Sequence, residues 1–328
     1  MSSPVFGASA LQWVGTAPET VYGTPAAAPS WFHPTDGVPA WTTPTENLKD
    51  NALRGYMGVN YQQGKGLRYD QVMFKTPLYL DSAYPLIRSA MGLPDVISGA
   101  SAPYTHKTSL QSGNNGQPAS TTVFYYDALG KTWQMPGAQV VDLKVTIATG
   151  GLAFLEITYV GLPAVPITPP TNTPSTAKPM PSWNTTVTIG GTAQQKYSQV
   201  VLDIKRGTKM IPTITGTQSP FAIFAGAMEV NGTLDGIYQG STDTDITANF
   251  LNTQPVLLVK IAPAGDAINS ITFQASVVAY EDTKLAGGTD WQTIQATVIA
   301  QMNATDVAGG GGQSPLLVTM LSPVSTAI

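Results

Sequence analysis

The sequence predicts an all-β protein with short helices. Three observations carry this. Gly (32) and Pro (26) are abundant among the 328 residues, which favours turns and short strands over long helices. Many segments alternate β-branched or aromatic residues with polar ones, the two-residue period of a half-buried strand. Only two stretches carry helix start and stop signals.

The elements follow in order. Residues 1–47 contain seven prolines and three tryptophans (Trp13, Trp31, Trp41). Proline blocks helix and central strand, while the aromatics are too many for a solvated tail. This stretch is expected to be an extended arm that docks on its own domain or on a neighbour. Residues 48–161 form a first β domain. It holds an alternating strand at Gln71–Leu80, then a helix over 82–91. Asp81 or Ser82 can cap that helix, Pro85 sits in its first turn and Gly92 stops it. Strands are expected at Val123–Tyr126, Val140–Thr149 and Phe154–Val160.

Residues 162–182 carry another seven prolines and read as a semi-rigid linker, the domain boundary. Residues 183–307 form the second β domain. Its strands are expected at Thr186–Ile189, Gln199–Lys205, Met228–Leu234, Val256–Ile261, Ile271–Tyr280 and Ile294–Met302. A helix over 242–251 has Thr242 as N-cap and Asp245 three residues on, with Ile246 and Phe250 on one face. Residues 308–328 open with a glycine hinge, 309–312. An apolar run, Pro315–Leu321, follows and could pair elsewhere, including on another subunit, or fray.

The two halves resemble each other. Leu53-Arg54-Gly55 answers Lys205-Arg206-Gly207. An alternating strand, a capped helix and a further strand follow in each. Ala138-Gln139-Val140-Val141 and Ala275-Ser276-Val277-Val278 open the terminal strand pairs. An internal duplication is expected from this order.

Charged residues are only 11% of the chain, against roughly 25% in typical soluble domains. Interface cores are depleted in charge, so self-assembly is expected. The net charge is −4, and sixteen basic residues form no basic stripe for phosphate. There is no cysteine, hence no disulfide or thiolate site. No basic n-region precedes Ala10 and no apolar run reaches membrane length. The chain is therefore expected to fold in a cytosol or to be exported by an unusual route.

Catalysis needs convergent acids, bases, nucleophiles or a metal. The two histidines stand apart: His33 in the arm, His106 in a polar loop before the Gly/Asn/Ser tract 112–120. Both are expected to be structural. Asp235, Asp243 and Asp245 could hold calcium, but no EF-hand pattern is complete, and first-turn acids also stabilise a helix N-terminus. The sequons at Asn184, Asn231 and Asn303 are expected to be chance among many Thr and Ser. Gly190-Gly191 and 308–312 lack phosphate-loop context. Lys65-Gly66-Leu67-Arg68-Tyr69 reads as a hairpin with solvated charges. No catalytic, cofactor-binding or metal residue is assigned, no cofactor is expected, and the chain is not expected to be an enzyme.

Taken together, Glu19-Thr20-Val21-Tyr22-Gly23-Thr24-Pro25, the Leu53-Arg54-Gly55 turn and the strand–helix–glycine run from Pro77 to Gly92 resemble tail tube (major tail) proteins of long-tailed bacteriophages. So does a second half containing Trp183–Gly207 and Ile223–Leu251. The resemblance covers about residues 19–302. It implies tandem tail-tube-type β-sandwich/barrel domains. Rings would stack into a hollow conduit, with the tape measure protein and DNA passing through the lumen without sequence-specific binding. A duplicated chain would close its ring as a trimer; a single tube domain would need a hexamer. The implied location is the virion tail, with assembly in the host cytoplasm and no membrane. Another virion protein (tail terminator or spike) is the alternative, followed by a cell-surface β-sandwich binding module. A slippery conduit should be lined by acidic and polar side chains, because each Lys or Arg would add phosphate affinity.

Overall fold

In the computed structural model the described residues are 6–328, apart from Leu53, Tyr56, Val59, Asn60, Thr215, Ala267, Gly288, Thr289, Gly310 and Gly311. The first residues of the expected arm, Leu53 of the Arg-Gly turn and the centre of the glycine hinge lie outside them.

Alternation in the sequence becomes antiparallel pairing. The amino-terminal half supplies β1 (Trp13–Pro18), β2 (Trp31–His33), β3 (Ala40–Thr42), β4 (Thr45–Asp50), β5 (Gln62–Arg68) and β6 (Asp70–Pro77). After helix α1 (Leu80–Met91) come β7 (Val96–Ser98), β8 (Tyr104–Ser109), β9 (Thr121–Tyr126), β10 (Thr132–Ala148), β11 (Phe154–Gly161) and β12 (Val165–Ile167). The carboxy-terminal half supplies β13 (Thr185–Ile189), β14 (Thr192–Gln194), β15 (Tyr197–Arg206), β16 (Lys209–Ile211), β17 (Ala222–Phe224) and β18 (Met228–Ile237). Helix α2 (Thr244–Leu251) precedes β19 (Leu257–Ile261), β20 (Ser270–Ala275), β21 (Val278–Gly287), β22 (Gln292–Ala300) and β23 (Leu317–Ser322).

Each half builds two layers. In the first, β2-β1-β9-β10-β12 make one layer from the start of β10, and β3-β6-β11-β10 make the other from its end. In the second, β14-β13-β19-β20-β23 and β15-β18-β22-β21 do the same. A small hairpin, β4–β5 or β16–β17, projects at the same point of each. One core fills both sandwiches, from Val14, Phe74 and Ile157 to Val259, Phe273 and Val298, and α1 packs into it through Ala83, Leu86 and Ile87. The expected boundary at 162–182 separates these blocks in sequence, but the sheets run across it. β10 pairs with β15 from Asp142–Lys205 to Ala148–Gln199, joining the halves edge to edge.

Several expectations are corrected. α1 starts at Leu80 after Tyr79, with no side-chain cap, so neither Asp81 nor Ser82 is its N-cap. The cap of α2 is Asp243, whose carboxylate accepts from the Asp245 amide, rather than Thr242. Ile246 is buried while Phe250 is exposed, because only one edge of that short helix meets the sheet. Ile271–Tyr280 splits into β20 and β21 at Ser276-Val277, where the chain crosses between layers. His106 lies within β8 rather than in a loop. The apolar run at the C-terminus is neither frayed nor pairing elsewhere: β23 sits between β20 and β8 of this chain.

The arm docks on its own half. Glu19 is buried, and its carboxylate accepts from the Gly23 amide (2.8 Å), Ser120 (2.6 Å), Thr122 (2.8 Å) and the Gly137 amide (2.8 Å). A carboxylate can accept this many bonds, so the desolvated charge is offset. Gly92 ends α1 at φ 92°, and the buried Arg206 donates to the last helix carbonyls, Ala90 (2.8 Å) and Met91 (2.9 Å). A cation there satisfies orphan carbonyls and the helix dipole together.

Candidate assembly surface

The eight strands β3-β6-β11-β10-β15-β18-β22-β21 form one continuous sheet. Their alternation sends one set of side chains to the core and the other to the open face. On that face opposite charges oppose one another across strands. Lys75, Glu156, Lys144 and Asp203 make one row, and Asp142, Lys205 and Glu229 the next. Lys205 also reaches Asp203 (2.7 Å), Lys284 reaches Asp282 (3.0 Å), and Gln295 donates to Asp235 (2.7 Å). Acids (Asp142, Glu156, Asp203, Glu229, Asp235, Asp282) outnumber lysines (Lys75, Lys144, Lys205, Lys284) on this face. Each lysine has an acid in contact or directly across a strand, which favours the pairing and occupies its charge.

At the seam between halves, Asp142 titrates at about 6. Partial burial raises it first, then its hydrogen bond to Asp203 and that group's charge. An acid raised above its ordinary 3.8 binds its proton more tightly when folded. Its contribution is therefore favourable at low pH and lost as pH rises through about 6. Asp142→Asn is expected to melt at a higher temperature than the parent at pH 8, with the gap closing towards pH 5. Melting curves that stay parallel across that range would contradict this.

The sheet has two free edges. Among the described residues β3 pairs only with β6, and β21 only with β22. Leu285 on β21 is 55% exposed, although Val145 and Leu202, side by side at the internal seam, are 0% and 3% exposed.

The two histidines and two of the three aspartates bond within the fold. His33 is buried, hydrogen-bonded to Thr16 (2.7 Å), stacked on Phe74 and pushed down to about 3 by burial. His106 bonds Asp95 (2.6 Å) and the Val324 carbonyl (2.9 Å); Asp95 also accepts from Tyr84 (2.9 Å) and the Ile328 amide (3.1 Å). This network ties down the C-terminus. Asp243 and Asp245 meet around Lys196, which contacts Asp243 and lies 2.9 Å from Asp245; all three are buried. Tyr197 (2.8 Å) and Tyr280 (2.9 Å) donate to Asp245, and burial, then its charge, pushes both phenols up. Asp235 is not with them; it sits on the open face beside Gln295. No group of three His, Cys, Asp or Glu able to hold a metal occurs among the described residues.

Of the sequons, Asn184 donates to the Ala262 and Pro263 carbonyls, Asn231 lies on the open face across from Asp203, and Asn303 bonds Asp306. Gly190-Gly191 make the turn between β13 and β14 at φ 57° and 83°. Lys65 lies in the β4–β5 hairpin and bonds Asn47 (2.6 Å). Lys196, Glu19 and Asp95 carry no sequence signal that marks them as buried charges. Most of their partners lie far along the chain, such as Asp243 and Asp245 for Lys196, Ser120 and Gly137 for Glu19 and the Ile328 amide for Asp95, and no local spacing marks a buried charge.

A family model described as "Phage tail tube protein" matches residues 10–315. No curated protein matches the chain.

Proposed function

Because this chain belongs to the phage tail tube protein family, and is thus a structural subunit of the virion tail, we propose that three copies close each ring of the tube. Rings then stack into the conduit that guides DNA and houses the tape measure protein. The matching strand order of the two halves supports this. Each half contributes a four-stranded segment, and β10–β15 already joins two such segments within one chain. On this reading the halves are two copies of one tube module. Blocks 48–161 and 183–307 are their centres. Arms 1–47 and 308–328 complete them with β1–β3 and β23, and 162–182 links them.

We assign the charge-paired open face to the lumen. Its acid excess and occupied lysines leave little free cationic charge to release counterions from DNA. Met57 and Ile214, fully exposed in the connections of the two projecting hairpins, suit contact with the next ring. No catalysis enters this role, and assembly takes place in the host cytoplasm.

Electron microscopy of purified protein tests the reading. Stacked tubes are expected. Closed rings that never stack would favour the tail-terminator alternative.

A further inference from the structure

Resting on that ring reading, we propose that β21 of one copy pairs antiparallel with β3 of the next. The register sets Leu285 opposite Trp41 of the partner subunit and repeats the internal seam at every subunit boundary.

The register follows from equivalent rows of the sheet. β10 shifts register on β11 between Val140 and Asp142, and β21 does so on β22 between Tyr280 and Asp282. The same Asp-x-Lys follows each bulge: Asp142-Leu143-Lys144 and Asp282-Thr283-Lys284. Bulges pin register, so Asp282 takes the place of Asp142 and Leu285 that of Val145. Across the sheet, Asp142 faces Thr158, Thr158 faces Met73 and Met73 faces Ala40. Likewise Asp282 faces Thr297, Thr297 faces Thr233 and Thr233 faces Val201. Ala40 therefore stands where Val201 does, and Trp41 where Leu202 does. The internal seam opposes Val145 to Leu202 and Thr146 to Val201. Translated, Leu285 opposes Trp41 of the partner subunit, and Ala286 opposes Ala40 of the partner subunit.

The surroundings fit a second copy. Trp41 sits edge-on to Tyr125 and Trp133, each at 5.2 Å, so it offers Leu285 an aromatic wall. Pro39 and Pro44 fall at the two ends of the ladder, opposite Gly287 and Asp282. They lack amide donors and confine pairing to the stretch between. In a lone subunit such prolines also blunt an edge against unspecific pairing.

The chain has no cysteine, so paired substitutions provide the sole thiols. Ala286→Cys with Ala40→Cys, and Thr283→Cys with Thr43→Cys, sample both alternating classes of antiparallel pair. At least one is expected to yield, on oxidation of assembled tubes, a covalent ladder stopping at three chains. Ala286→Cys with Thr42→Cys, shifted by two residues on the same face, is expected to cross-link about tenfold less, since diagonal pairs stand farther apart. Tubes in which neither in-register pair links, or the shifted pair links equally, would overturn the register. If the cysteine variants do not assemble, hydrogen exchange of the unmodified chain decides: amides of 283–286 are expected to slow about tenfold in tubes relative to monomer. Unchanged exchange in intact tubes would overturn the pairing. Absence of any ring from the unmodified chain would instead sink the ring reading, and the pairing with it.

Discussion

Leu285→Lys is expected to abolish ring closure while leaving the subunit folded. The side chain is 55% exposed in the lone chain, so a surface charge there costs little fold stability. At the proposed boundary it lies against Trp41 of the partner subunit, in the place where Val145 and Leu202 are fully buried. Losing the remaining Leu burial removes about 1–2 kcal/mol per boundary, and desolvating an unpaired ammonium adds several more. The penalty recurs at each boundary of a closed ring. Light scattering should find monomer where the parent forms rings or tubes, with an unchanged melting temperature. Normal tubes from this variant would contradict the edge assignment.

Lys196→Met is expected to act on the fold itself, by about 3–5 kcal/mol, because removing one partner of a buried ion pair strands the other. Here two carboxylates, Asp243 and Asp245, lose their cation at 1% exposure. Asp243 also caps α2 and Asp245 anchors Tyr197 and Tyr280, so α2 should loosen from β15 and β21. Denaturant melts check the size. Adding Asp243→Asn to Lys196→Met should recover part of the loss, since it removes a stranded charge. A single variant as stable as the parent would show that Lys196 carries no such weight.

Much of the fold was legible because a half-buried sheet writes its period into the chain. β6, β11, β18 and β22 alternate over most of their length, with core positions such as Phe74, Ile157, Leu234 and Ala296 two residues from the next core position and flanked by open-face residues. α1 was legible through Gly92, which ends it, whereas Pro85, expected in the first turn, lies inside the helix because α1 starts at Leu80. What failed was long-range. If the halves are two copies of one module, strand pairing sets β3 in the place of β15 and Thr45 in that of Arg206, so Leu53-Arg54-Gly55 matches Lys205-Arg206-Gly207 in residue type alone. On the same equivalence the Ala138 and Ala275 runs stand three residues out of register, because the bulges at Val140/Asp142 and Tyr280/Asp282 show only across strands. His106 and Asp95 meet across the short β7–β8 hairpin, and the Val324 carbonyl and Ile328 amide reach them only because β8 adds to β23. The lysine–acid rows of the open face depend on register between strands up to about eighty residues apart and could not be read from spacing.

If one chain carries two tube modules, three chains make a ring. Rotational symmetry of an assembled tube, measured by electron cryomicroscopy without imposed symmetry, tests it most directly. Three-fold symmetry is expected, with six similar wall segments per ring and every second seam the internal β10–β15 pairing. A ring of six whole chains would contradict it.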